Sequence, residues 1–477
     1  MKKIVLSSIL FFLIASVSHA NIRLPAVLGS NMVLQQQSKV KLWGWAAPAE
    51  MIYITTSWNN KTDSVKTTRD ANWQLFVETP AAGGPFTITF KGENTITLDN
   101  VLIGEVWICS GQSNMEMNEE WGLPDVRAEL PAAAANKNIR FFYIPKTTSS
   151  TPQDDCKASW TLCDSNTLKA FSAVGFFFAK KLNANLNVPV GLINASWGGT
   201  PAEVWTPADL INNDPELRAS AEKIPPKDGW PKTPGATFNG MLAPVTNFSI
   251  AGAIWYQGEG NTAAPYTYGK LLTTMIDSWR AAWNKNIPFY YVQIAPFSYG
   301  DNFDGSLIRE QQAKAMMHDN VGMVVTTDLV DDTTDIHPKN KHDVGYRLAN
   351  WALAETYHKP GIVYKSPVYK SIDVQKDKAI ISFDNVPTGL VAKGKNITAL
   401  LIAGADKKFY PASAKIEKDK LIVWSKQVTQ PVAVRFSFTN AGIGNLFSKE
   451  ASPDGPVGRG LPVAPFRTDD WELDTIK

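Results

Sequence analysis

At 477 residues the chain exceeds one ordinary domain and suits two or three. Its 44% hydrophobic and 19% charged content excludes a disordered or fibrous chain and describes a well-cored globular protein. A formal net charge of +2 offers no basic excess for electrostatic capture of nucleic acid or an anionic membrane, so no nucleic-acid partner is expected.

Residues 1–20 read as a secretory signal. Lys2 and Lys3 make a basic start, Ile4 to Ile14 are apolar apart from Ser7 and Ser8, and Ser18-His19-Ala20 sets small residues at −3 and −1 of a cut before Asn21. The apolar run is shorter than the ~20 residues a membrane span needs, and no comparable run follows. The expectation is an exported protein, periplasmic or extracellular, with no membrane span after cleavage. The residue after the cut is Asn21 and not Cys, which argues against a lipoprotein. Cleavage removes two lysines and no acid, leaving bases and acids equal in number. In an oxidising compartment, Cys156 and Cys163 are expected to close a small loop, with Cys109 left as an odd thiol in an apolar strand.

From residue 21 to about 100 the chain alternates short β segments with turns. Val40–Trp43, Met51–Ile54, Trp73–Val77 and Phe86–Phe90 show period-two patterning and no helical period, which predicts a small β-sandwich. From 101 to 358 near-continuous apolar strands recur at Val101–Cys109, Val188–Ala195, Ile250–Gln257, Pro288–Ile294 and Val321–Thr327. Helical spacing fills the intervals at Phe171–Leu186, Tyr266–Trp283, Ile308–His318 and Pro338–Tyr357. Strands of this kind alternating with helices predict a parallel sheet covered on both faces, a three-layer α/β domain. Residues 359–477 return to β patterning, as in Ala379–Phe383, Leu421–Trp424 and Val432–Phe436. Most of the 16 tryptophans belong in cores, while single ones suit stacking on sugar rings.

Chemistry concentrates at the strand ends. The first α/β strand runs into Ser110-Gly111-Gln112-Ser113-Asn114-Met115, where a serine on a turn of small residues can present its hydroxyl beside backbone N–H groups. A following helix would add its positive end. The next strand leads into Ser196-Trp197-Gly198-Gly199-Thr200, where paired glycines permit close backbone approach, and the third into Gly258-Glu259-Gly260-Asn261. Near the last helix comes Asp335-Ile336-His337-Pro338, with Pro338 suited to the first helical position. His337 beside Ser113 could take its proton and return it to a leaving alcohol. His318 and His358 lie late in helical segments, and His342 inside one, where solvated roles suffice. No G-x-S-x-G elbow or HGGG loop is present. The acids Asp328, Asp331, Asp332 and Asp335 lack calcium-loop spacing, and no His/Cys set has zinc spacing, so neither metal nor cofactor is expected.

Gly104-Glu105-Val106-Trp107 leading into Gly111-Gln112-Ser113-Asn114-Met115 resembles the sialate O-acetylesterase family of SGNH hydrolases. Asn194–Thr200, Trp255–Glu259 and Asp335–Pro338 match its later blocks in order, and the likeness extends to Met32–Gln35 and Pro465–Thr468. The resemblance implies a flavodoxin-like SGNH fold, Ser113 as nucleophile, His337 as general base and an acetyl-enzyme hydrolysed by water. It implies an oxyanion hole from the Ser113 N–H, a glycine (Gly198 or Gly199) and a side chain of the third block. The wider pattern has Asn two residues after that block's Gly; here the position is Gly260, so the role passes to Gln257, with Asn261 as second choice. Glu259 has no chemical role beyond a structural bond to a nearby loop. The family's Asp three before His is Thr334 here, which leaves Asp335 as third triad member or a backbone carbonyl in a Ser–His dyad. The implied substrate is an O-acetylated carbohydrate, sialic acid first and acetylxylan or another glycan second. A non-catalytic glycan binder would need neither Ser113 nor His337.

Overall fold

The computed structural model describes residues 21–450 and 460–473; the secretory-signal reading of residues 1–20 lies outside them. In the first β region, Lys39–Trp45 pairs antiparallel with Asn72–Glu78, and Met51–Thr56 pairs with Lys61–Lys66 and Gly83–Lys91. Ile52 and Ile54 are buried while Met51 and Tyr53, which alternate with them, are exposed, the outcome of period-two patterning on a half-covered sheet.

We number the strands that build the central sheet β1 (Val33–Gln35), β2 (Thr95–Gly111), β3 (Ile139–Tyr143), β4 (Trp160–Leu162), β5 (Val190–Ser196), β6 (Gly252–Tyr256), β7 (Phe289–Val292) and β8 (Val321–Val324). Strand β2 is 17 residues long and spans the expected boundary near residue 100. Its first part alternates exposed and buried residues and pairs with Gly83–Lys91; from Val101 onward every residue is buried. The change from half-covered to fully covered strand follows the change from Thr95-Ile96-Thr97-Leu98 to an uninterrupted apolar run. The first β region and the α/β domain therefore share a strand.

The sheet order is β8-β7-β6-β2-β5-β3-β4, parallel except for the β3–β4 pair. The chain places β5 on one side of β2 and β6 on the other, so the order reverses at β2. Its carboxyl end opens the crevice where ligands bind in such sheets. Val106 and Ile108 of β2 pack into one hydrophobic core and Trp107 and Cys109 into another, on opposite faces of the sheet.

Among the helices, those that cover the sheet or border its crevice are numbered α1 (Ser113–Glu116), α2 (Pro124–Glu129), α3 (Ala173–Leu186), α4 (Tyr268–Trp283), α5 (Asp304–Ala315) and α6 (Lys341–Trp351). Helices α3 and α6 pack together over the Trp107 face, and α4 and α5 over the Val106 face, completing three layers. The C-terminal region carries two four-stranded sheets around a third core that includes Ile381, Val434 and Phe466. The three-layer α/β domain flanked by β regions agrees with the sequence-based expectation.

Two expectations need correction. Helix α6 begins at Lys341 rather than Pro338, because Asn340 is the N-cap and its side chain accepts the Asp343 N–H at 3.0 Å. Cys156 and Cys163 are not bridged: all three cysteines are free thiols. Strand β4 runs between those two residues, and its extended backbone sends Cys156 to the first core and Cys163 to the second.

Candidate active site

Gly111 closes β2 at φ 136°, where a Cβ would lie 2.2 Å from the Tyr256 carbonyl oxygen. Only glycine permits that approach, and it lets Gln112 N–H bond Tyr256 O at 3.0 Å as the chain turns away from β6. Ser113 then opens α1 on the floor of a cleft of about 480 Å³. The expected helix is a single four-residue turn, so it contributes local N–H groups and not a macrodipole.

Ser113 Oγ lies 3.0 Å from His337 Nε2, within hydrogen-bond reach. Residues 113 and 337 come from the end of β2 and the loop before α6, and the fold brings them together. Burial pushes the His337 pKa below the ordinary imidazole value; the Lys341 charge pushes it the same way, and Asp335 opposes both. The edge of the Trp121 ring approaches the imidazole at 5.3 Å between centroids.

Asp335 sits beside His337, with its carboxylate on the backbone and not bonded to the ring. Its Oδ1 accepts the His337 backbone N–H at 2.9 Å but stands 3.7 Å from the ring Nδ1, too far for a hydrogen bond. Two-residue spacing in a turn directs the carboxylate to the backbone, as Asx turns do.

The two glycines of the second block differ. Gly198 N–H donates to Glu116 Oε2 at 2.6 Å, whereas the Gly199 N–H has no partner among the described residues. Gly199 holds φ 75°, and the Trp230 ring lies so close that a Cβ would come within 2.2 Å of it. Gln257 and Asn261 do not reach the cleft. Gln257 Nε2 donates to Thr200 O and Asn261 Oδ1, and its Oε1 accepts the Tyr268 hydroxyl. Asn261 Nδ2 donates to Glu203 Oε2. Both amides are committed behind the cleft, where they tie the second block to the third.

Sequence reasoning missed residues that the cleft does contain. Gln112 Oε1 accepts the Gly260 N–H at 3.0 Å, which leaves its Nε2 without a partner among the described residues. Glu116, besides holding Gly198, bonds Lys146 at 2.6 Å. Trp121, Trp197 and Trp230 wall the opening, and Trp121 and Trp230 are more than 40% exposed. Gln112 and Glu116 flank Ser113 and were legible as neighbours; Lys146 and Trp230 lie on loops that carry no local signal. Asp328 of the acidic cluster is bonded to Arg347 through both oxygens, at 2.8 and 2.7 Å. No group of three or more His, Cys, Asp or Glu side chains is placed to hold a metal among the described residues. None of their helices is long and apolar enough to cross a membrane.

Comparison with known proteins bears on the chemistry. Residues 103–354 match the family described as carbohydrate esterase, sialic acid-specific acetylesterase. A sialate O-acetylesterase of Pongo abelii is 28% identical over 432 residues, 82% of each chain. One from Mus musculus is 26% identical and covers 90% of this chain and 92% of its own. The structure of a carbohydrate acetylesterase from Xanthomonas citri superposes with a TM-score of 0.85 at 34% identity, over 94% of this chain and all of that one. The ordered strand-end motifs, the cleft they line and these likenesses agree: the chain belongs to the sialic acid-specific acetylesterase family of carbohydrate esterases and is a carboxylic ester hydrolase.

Proposed function

We propose that the protein removes O-acetyl groups from a saccharide through an acetyl-Ser113 intermediate. The observation that carries this reading is the 3.0 Å approach of His337 Nε2 to Ser113 Oγ on the floor of a tryptophan-walled cleft. His337 takes the hydroxyl proton as Oγ bonds the acetyl carbon; the tetrahedral adduct then expels the sugar oxygen, which receives that proton. Water adds to the acetyl-serine by the reverse use of His337, releasing acetate and restoring the Ser113 hydroxyl. The Ser113 and Gly199 N–H groups and Gln112 Nε2 are the uncommitted donors for the oxyanion. The pattern of residues 1–20 supports export to the periplasm or the exterior.

Because Asp335 holds the loop backbone and not Nδ1, the reading is a Ser–His dyad with Asp335 in a supporting place. Asp335→Asn is expected to lower kcat by no more than about tenfold, against about 10⁴ where a buried carboxylate holds the imidazole directly. Steady-state kinetics of acetate release check this.

Family membership favours O-acetylated sialic acid as the substrate. One observation favours a neutral acetylated glycan instead: among the described residues, Lys146 is the one lysine that lines the cleft and is bonded to Glu116, and no arginine lines it to meet a sugar carboxylate. Acetate release is measured from 9-O-acetylated sialic acid and from acetylated xylan, with Ser113→Ala as control. Release from one substrate and its loss in the variant support the reading and choose the sugar. Equal release by variant and parent overturns it.

A further inference from the structure

Behind the Ser113–His337 pair the fold buries a lysine. Lys341 is 1% exposed, and its Nζ donates to Asn114 Oδ1 at 2.7 Å. The other end of the same amide, Asn114 Nδ2, donates to Glu259 Oε1 at 2.6 Å and to the Ile336 carbonyl at 3.1 Å. Four segments meet in this chain of bonds: the turn after β2, the loop before α6, the turn after β6 and the first residue of α6. Asn114 directly follows Ser113, and Ile336 directly precedes His337.

We propose that Lys341, Asn114 and Glu259 form a buried positioning relay that locks the His337 loop onto the Ser113 turn, with the Lys341 charge favouring the neutral, proton-accepting imidazole. The proposal rests on Ser113 and His337 being the reacting pair.

The amide has one sensible orientation. Its oxygen must face the ammonium and its nitrogen the carboxyl group; the flipped amide would set donor against donor at Lys341. That orientation is also the one that reaches Ile336, so placing Lys341 and Glu259 aims the amide at the histidine loop. Filling the space is a poor explanation for the pair. Glu259 Oε2 has no hydrogen-bond partner among the described residues, and apolar residues of similar volume fill such a site at no greater cost than a buried, half-satisfied ion pair.

The charged groups around His337 are Lys341 from α6, Asp335 from its own loop, Glu259 beyond Asn114, and Glu116 in the same cleft. Burial lowers the Lys341 pKa to about 7, with Glu259, Asp125 and Asp335 drawing it upward. Burial raises that of Glu259. In the acid range where His337 gains its proton, Lys341 carries its charge and opposes that gain.

The test is the pH profile of kcat/KM for acetate release by the parent, Lys341→Met and Asp335→Asn, with folding checked by circular dichroism and thermal melting. The acid limb is expected to move to higher pH in Lys341→Met and to lower pH in Asp335→Asn. Loss of the loop's placement is expected to lower kcat of Lys341→Met by roughly ten- to a hundredfold at the optimum. Should Lys341→Met fail to fold, the paired Lys341→Met/Glu259→Gln variant removes both charges, leaves neither unpaired, and is expected to show a smaller upward shift, since the more distant Glu259 charge acts in the opposite sense. A folded variant of either kind whose acid limb coincides with the parent's overturns the proposal. Ser113→Ala, run alongside, separates the two readings: persistent acetate release there sinks the reacting pair itself.

Discussion

Ser113→Ala is expected to lower kcat for acetate release by about four orders of magnitude or more, leaving only the residual rate that oxyanion donors and substrate binding supply. That loss corresponds to roughly 5–6 kcal/mol of transition-state stabilisation. KM should change little, because removing a hydroxyl from the cleft floor leaves the aromatic walls and the Glu116–Lys146 pair in place. The variant should also stay folded. Ser113 Oγ has His337 as its partner, and no other element depends on that bond. Steady-state kinetics with a thermal melt separate lost chemistry from lost structure.

His337→Ala is expected to cost nearly as much, and the Ser113→Ala/His337→Ala double variant no more than either alone, because a nucleophile and its base act as one unit. The parent should lose kcat/KM on the acid side as the imidazole is protonated. Burial and Lys341 lower the His337 pKa, so the sign is set: activity persists below the ordinary imidazole value of about 6.5 and falls at lower pH. An acid limb above that value would contradict the environment described.

Much of this was readable in the residues. Continuous apolar runs gave the parallel strands because burial on both faces removes polar alternation, and β2 shows that change within one strand. Ser113 and His337 were legible as the ends of ordered motifs. Their fine geometry was not. Asp335 lies two residues from His337, but whether its carboxylate meets the ring or the backbone depends on a turn that spacing alone does not fix. Gln257 looked like an oxyanion donor from its motif, yet Tyr268 and Asn261, eleven and four residues further on, engage both ends of its amide. The Cys156–Cys163 loop failed for a similar reason: short sequence distance does not place two side chains on the same side of an intervening strand. Glu259, expected to bond a nearby loop, accepts the Asn114 amide in the turn after β2, but the burial of Lys341 at the other end of that amide had no signal in the motif.

The central claim is that Ser113 is the nucleophile, and covalent labelling tests it most directly. The protein is treated with a fluorophosphonate, acetate release is followed, and the modified peptide is identified by mass spectrometry. The prediction is one adduct, on Ser113, accumulating in step with the loss of activity. Full inactivation with Ser113 unmodified, or an adduct on another serine that tracks the loss, would contradict it.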